Sequence, residues 1–373
     1  MPLMRRIIAF FKKETVLCIA AVCAILSMFA VPPDMAYLEY IDLRVLCLLF
    51  CLMAVILGMQ DCGLFGLLAQ KLLRGQKSLR VLLLILVLLP FFVSMLVTND
   101  VALITFVPFT LMVLEAAGAE HLMIKTVVLQ TVAANLGSMA TPVGNPQNLY
   151  LYSYYQLTGG QFFGVMLPLT LVSLLGLTAA ALCTKNSRIS VSFPQAAKIS
   201  SHGRLAVYTV LFLLCLLSVF RILPYWVLTA VVIICFLFVR PRLLLRVDFS
   251  LLLTFCCFFI FSGNLGRIPA VSSFLSGVLE QSTLLSSALA SQVISNVPAA
   301  VLLSGFTGDW RGLLAGVNIG GLGTPVASLA SLISLKLYFQ SKKHRTGRYL
   351  AWFTAANLIG LAVLLMLALL LGW

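Results

Sequence analysis

The sequence predicts an all-α polytopic membrane protein built from two inverted-topology repeats, each with a re-entrant hairpin and a broken transmembrane helix. Three observations predict it. The first is composition. The 373 residues are 61% hydrophobic and 10% charged, against about 25% charged in soluble domains. Several apolar runs approach or exceed the ~20 residues that span a bilayer. The second is an interruption. Residues 135–148 read N-L-G-S-M-A-T-P-V-G-N-P-Q-N inside an apolar run. Gly137, Pro142, Gly144 and Pro146 break the helix, since Gly costs ~1 and Pro ~3 kcal/mol in a helix interior. The amides of Asn145, Gln147 and Asn148 and the hydroxyl of Thr141 crowd the same spot. Polar, broken backbone at membrane depth survives only where it lines a cavity or packs on protein. The third is repetition. From Asn318 the chain reads N-I-G-G-L-G-T-P-V-A-S, which aligns Asn135 with Asn318, Gly137 with Gly320 and Thr141 with Thr324. Each copy has a polar triplet upstream, Thr98-Asn99-Asp100 and Ser295-Asn296-Val297. A matched pair of interrupted apolar segments points to a transporter binding site.

Taken in order, the first span is expected over 15–31. Arg5, Arg6, Lys12 and Lys13 precede it. The run is too long for a signal sequence and ends without an A-x-A site, so it reads as an uncleaved span with a cytoplasmic N-terminus. An acidic loop with Asp34, Glu39 and Asp42 follows, then a span over 43–60 and an interfacial helix over 63–73. The apolar stretches 79–97 and 101–114 flank the first triplet and read either as two full spans or as a re-entrant hairpin with that triplet at its tip; the shorter arms around the second triplet favour the hairpin. The first broken span covers 124–155, with Tyr150, Tyr152, Tyr154 and Tyr155 at its outer end as an aromatic belt. A span over 162–183 returns to a basic linker over 184–204. The second half has spans over 205–220, 225–239 and 249–265, and an interfacial helix over 268–279. A hairpin over 284–305, a broken span over 312–339 and a last span over 349–371 complete it. The expected organisation is therefore 1–40 as N-terminal span and outer loop, 41–184 as first repeat, 185–204 as linker and 205–373 as second repeat.

The net charge of +14 does not indicate nucleic acid, because the basic residues are scattered through short loops rather than gathered on one face. The positive-inside rule accounts for them. On this topology only Arg44, Arg221, Arg267 and Arg311 of the 25 Lys+Arg fall outside. The first hairpin then enters from the cytoplasm and the second from outside, which makes the halves inverted repeats suited to alternating access. The ten cysteines sit mostly in apolar runs and the three histidines in loops. They read as packing residues, not metal or redox centres.

The candidate site gathers Thr98, Asn99, Asp100, Asn135, Gly137, Thr141, Gly144 and Asn145 from the first half. The second half contributes Ser295, Asn296, Asn318, Gly320, Thr324 and Ser328. A broken helix presents free N–H groups where one half starts and free C=O groups where the other ends, equivalent to about +0.5 and −0.5 charge. An anion would rest on helix N-termini with Asn99, Asn296, Thr141 and Thr324. Carbonyls around Gly137, Gly144 and Gly320 would suit a hard cation such as sodium, near Asn99, Gly144 and Asn296. Bland roles compete with these. Asn99 and Ser295 can cap the second hairpin arms, Asn135 and Asn318 can tie helices together, and Thr141 and Thr324 can bond to freed carbonyls. Asp100 is the one acid placed between two apolar arms, and an intramembrane acid is a functional candidate. It would carry a proton or bind a cation during transport, or else cap the helix that starts beside it.

At these motifs the chain resembles the ion transporter superfamily: arsenite permeases, NhaD-type sodium/proton antiporters, citrate permeases and divalent-anion symporters. Thr98-Asn99-Asp100 with Val101, Ala102 and Leu103 resembles the N-D signature of the arsenite-permease branch. The segment from Thr141 to Asn148 is similar to the T-P-I-G-x-P-x-N segment of the first broken helix. Asn318 to Ser328 resembles the matching second-half segment. The nearest likeness is to short bacterial anion permeases. The resemblance implies two hairpins whose Ser-Asn-Thr tips face two broken helices, with sodium and substrate carboxylates among them, in a homodimer. This chain departs from the symporters by carrying Asp100 and Val297 where they have Thr, and Val297 cannot donate a hydrogen bond to a carboxylate. The expected function is secondary active transport of a small anion, a carboxylate or oxyanion, coupled to sodium or protons. A cation/proton antiporter is the alternative, and a non-transporting scaffold is disfavoured by the duplicated breaks. No enzyme is expected, for want of a nucleophile elbow or paired carboxylates. The expected partners are the anionic substrate and the lipid bilayer of the inner membrane. No cofactor is expected beyond sodium ions or protons.

Overall fold

A computed structural model describes residues 14–73, 75–184, 188–191, 197–341 and 344–373. The basic residues Arg5, Arg6, Lys12, Lys13, Arg74, Lys185, Lys342 and Lys343, used above to orient the chain, lie outside the described residues. The rest is almost entirely helical. Six described helices are long and apolar enough to cross a membrane: Leu43–Asp61, Asn99–Ala116, Gly159–Leu182, His202–Val219, Phe249–Gly266 and Thr346–Leu370. The protein is an integral, multi-pass membrane protein.

Local sequence explains where helices begin. The Asp42 carboxylate accepts from Val45 N–H, and Asp248 and Asp309 do the same for Leu251 and Gly312. Thr158 and Gln161 form a reciprocal capping box at the start of Gly159–Leu182. Such caps satisfy donors that a helix start leaves open.

The first hairpin has arms Leu79–Ser94 and Asn99–Ala116, and the second has Thr283–Ile294 and Asn296–Ser304. The second hairpin's arms hold 12 and 9 residues. At 1.5 Å per residue they reach about 18 and 14 Å, short of the ~30 Å hydrocarbon core. The first broken span is Met123–Ser138 followed by Pro146–Tyr154, and the second is Trp310–Ile319 followed by Leu329–Phe339.

Packing repeats between the halves. Leu79–Ser94 lies against Met123–Ser138, and Thr283–Ile294 lies against Trp310–Ile319. Glycine permits both approaches. A Cβ on Gly137 would sit 2.1 Å from the Phe91 carbonyl oxygen, and one on Gly320 would sit 2.8 Å from the Ser291 side chain. The second arms cross over. Asn99–Ala116 packs on Leu329–Phe339 of the other half, and Asn296–Ser304 packs on Pro146–Tyr154. Lipid tails are as apolar as leucine, so close backbone approach and interhelical hydrogen bonds hold these elements together. Around them, Leu43–Asp61 packs on His202–Val219 and Tyr225–Val239, and Thr15–Ala30 packs on Phe249–Gly266.

Two expectations need correction. The tyrosines at the end of the first broken span do not all form a lipid-facing belt: only Tyr154, 44% exposed, keeps such a position. Tyr150 and Tyr152 are buried. The Tyr150 hydroxyl is hydrogen-bonded to that of Ser304 at 2.7 Å, and Tyr155 donates to the Ser304 and Thr307 carbonyls. Tyr150 and Tyr155 thus clasp the end of the second hairpin, whose crossed-over arm occupies the face that lipid would otherwise cover, while Tyr152 packs on Phe162 and Phe220. The linker is also more than a tether. Arg188–Val191 pairs antiparallel with Gly75–Ser78, Ser200 N–H donates to the Cys62 carbonyl, and Ala197 N–H donates to Gln70.

Candidate functional site

The two breaks lie side by side, and each hairpin tip rests against them. The tips are built alike. The Asn99 side-chain oxygen accepts from Asp100 N–H at 3.1 Å, and that of Asn296 accepts from Val297 N–H at 3.0 Å. Thr98 and Ser295 stand at the N-cap positions without a side-chain cap bond. Ser295 has φ 73° and ψ 155°, a backbone region that costs about 1–3 kcal/mol for a residue with a side chain. Its hydroxyl donates to the Ala327 carbonyl at 3.3 Å, which ties the strained turn to the second break.

Thr141 and Thr324 are clasps in equivalent places. Thr141 donates to the Met95 carbonyl and Thr324 to the Gln292 carbonyl. Each acceptor lies one turn upstream of its tip asparagine. The two threonines therefore lock each break to the hairpin of its own half.

Asn135 and Asn318 link the halves instead. Asn135 accepts from Asn99 at 3.0 Å and from Ser328 at 3.1 Å, and donates to Ser331 and the Gly321 carbonyl. Asn318 accepts from Asn145 at 3.2 Å and donates to the Asn148 side chain at 2.6 Å. Each asparagine thus belongs to one broken span and bonds to the other. Asn148 also donates to the Met139 and Thr141 carbonyls, which the first half-helix leaves open. Gly144 makes the tight return possible, since a Cβ there would sit 2.1 Å from the Ser138 carbonyl oxygen.

Gln292, Ser138 and Ser331 were not singled out from the sequence. Gln292 donates to the Gly320 and Leu322 carbonyls and accepts from Thr324 N–H. It therefore occupies the Gly320 carbonyl that had been expected to face a cation. A lone amide in a short apolar arm was its only sequence signal.

The outcome is a buried network of amides and hydroxyls at which four helices begin: Asn99–Ala116, Pro146–Tyr154, Asn296–Ser304 and Leu329–Phe339. Their N-termini favour negative charge. Asp100 stands at the edge of this network. It is half-buried, and among the described residues its carboxylate has no hydrogen-bond or ion-pair partner.

Broken helices, hairpin tips and a polar centre inside an apolar bundle define a multi-pass membrane transporter. The profile of the citrate transporter family matches residues 3–306, and the chain belongs to that family. It is 33% identical over 304 residues to the uncharacterized transporter MJ0456 of Methanocaldococcus jannaschii, covering 81% of this chain and 82% of that one. It is 31% identical over 320 residues to the inner membrane protein YbiR of Escherichia coli, covering 84% of each. A shorter match, 34% over 142 residues, covers 38% of this chain and 28% of the silicon efflux transporter LSI3 of Oryza sativa. The chain is a membrane transporter of the citrate and anion permease type.

Proposed function

We infer that the protein is a secondary active transporter of a small anion, a carboxylate or an oxyanion, coupled to sodium or protons. The observation that carries this reading is the meeting of four helix N-termini in a network of uncharged amides and hydroxyls. Such a site attracts an anion by partial charges and leaves no fixed cation to hold it too tightly. The citrate transport of the family and the silicon efflux named for one relative support small oxygen-rich substrates. The crossed-over arms support alternating access. Each hairpin packs on both breaks, so a rocking of one half against the other would open the network to one side at a time. Inverted repeats, a cytoplasmic N-terminus, an inner-membrane location and a homodimer complete the reading, and the name of the Escherichia coli relative supports the location.

Asp100 favours one second reading, a cation/proton antiporter, because an unpaired carboxylate near membrane depth can exchange a proton for a cation. Proteoliposomes separate the two. Labelled citrate or phosphate should accumulate when a sodium or proton gradient is imposed. Sodium-driven proton flux with no anion uptake under either gradient would select the antiporter.

A further inference from the structure

A cavity separate from the polar network lies at the end of the bundle opposite the β ladder. It measures about 270 Å³. Its walls include Tyr40, Tyr150, Tyr154, Phe259 and Phe306, with Glu39 as its only charged lining residue. They come from different parts of the chain: the loop after the first helix, the end of the first broken span, the helix Phe249–Gly266 and the end of the second hairpin. Gly263 lets the wall close, since the Tyr40 ring lies 2.6 Å from where its Cβ would be. The floor is the hydrogen bond between the Tyr150 and Ser304 hydroxyls.

The other neighbouring charges are already engaged. Arg267 donates to the Tyr40 hydroxyl at 3.3 Å and pairs with Asp34 at 2.8 Å, so this ion pair brings no net charge to the wall, while Asp42 and Asp309 cap helices. Glu39 is exposed, and its carboxylate has no partner among the described residues. The Glu39 carboxylate disfavours an anion here, and aromatic rings carry negative faces to which a cation can bind. A cation is attracted by both, and an aromatic enclosure suits an alkylated ammonium better than a strongly hydrated metal ion.

We propose that this cavity binds a small organic cation, an amine or quaternary ammonium, held by Glu39 and the surrounding aromatic rings. The site is distinct from the anion network and stands or falls without it. An occupant would touch Tyr150 and Tyr154 of the first half and Phe306 of the second at once.

The test is calorimetric titration of the purified full chain in lipid nanodiscs with choline and with its uncharged analogue 3,3-dimethylbutan-1-ol. Choline should bind saturably and the analogue should not. Glu39→Gln should weaken choline binding by about fivefold, the size of an exposed ion pair. Tyr154→Leu, at a 44% exposed position, should weaken it by about fivefold or more through the lost ring. Thermal unfolding of both variants checks that they remain folded. Equal binding of choline and its uncharged analogue, unchanged affinity in folded Glu39→Gln, or no saturable choline binding up to tens of millimolar would each overturn the proposal.

Discussion

At the scale of single residues, the spacing of the duplicated motif singles out its asparagines and threonines, but does not say what they touch. Asn135 reaches Ser331 and Gly321 of the other half, and only the fold decides which helix faces are neighbours. Gln292 and Ser138 escaped notice for the same reason. Removing one partner of a buried polar contact costs ~1–3 kcal/mol. Asn135→Ala and Asn318→Ala should each lower thermal stability in detergent by an amount of that order, because each leaves partners from both halves unsatisfied. Asn99→Ala and Asn296→Ala should impair transport while the protein still reaches the membrane, and near-wild-type uptake in both would reduce these residues to tip architecture. Glycine offers an internal contrast. Gly137→Ala drives a methyl into the Phe91 carbonyl, whereas a Cβ at Gly176 meets nothing within 4 Å. The first should destabilise by about 1–3 kcal/mol, and the second should be neutral or stabilising by up to ~1 kcal/mol. Asp100→Asn should flatten the dependence of transport on pH or sodium. An unchanged profile would leave Asp100 as a surface of the tip with no part in coupling.

At the scale of elements, the broken spans and hairpins were legible because Gly, Pro and clustered amides interrupt apolar runs, and that signal is local. The exchange of second arms between halves was not legible, since those helices are largely apolar on both faces and the sequence does not say which neighbour covers them. The pairing of Gly75–Ser78 with Arg188–Val191 was hidden too, because such a ladder depends on residues far apart in the chain. The equivalence of the halves makes a paired prediction at this scale. Thr141→Val and Thr324→Val each remove one bond between a break and its own hairpin, about 1 kcal/mol apiece. Both should loosen the hairpin tips and raise hydrogen exchange there. A large effect in one half and none in the other would show that the clasps are not equivalent.

At the scale of the whole molecule, the positive-inside count gives an expected side for every loop, and labelling of single cysteines tests it. In a cysteine-free background, positions 77 and 198 should react from the cytoplasm, and positions 34 and 273 from outside. Reaction of position 198 from outside in intact cells would remove the inverted-repeat scheme. Lys77 stands within the ladder that joins the first hairpin to the linker, and Lys198 follows in that same linker, so both positions should report the same side. The helix Thr15–Ala30 has a consequence for how the protein is made. Its packing partner is Phe249–Gly266, and Ser27 receives a hydrogen bond from Asn264 at 2.9 Å. Synthesis at about 5–20 residues per second brings Asn264 out of the ribosome many seconds after Ser27. Thr15–Ala30 must therefore wait among lipids or insertion factors, its interior face uncovered, until the middle of the second half arrives to claim it.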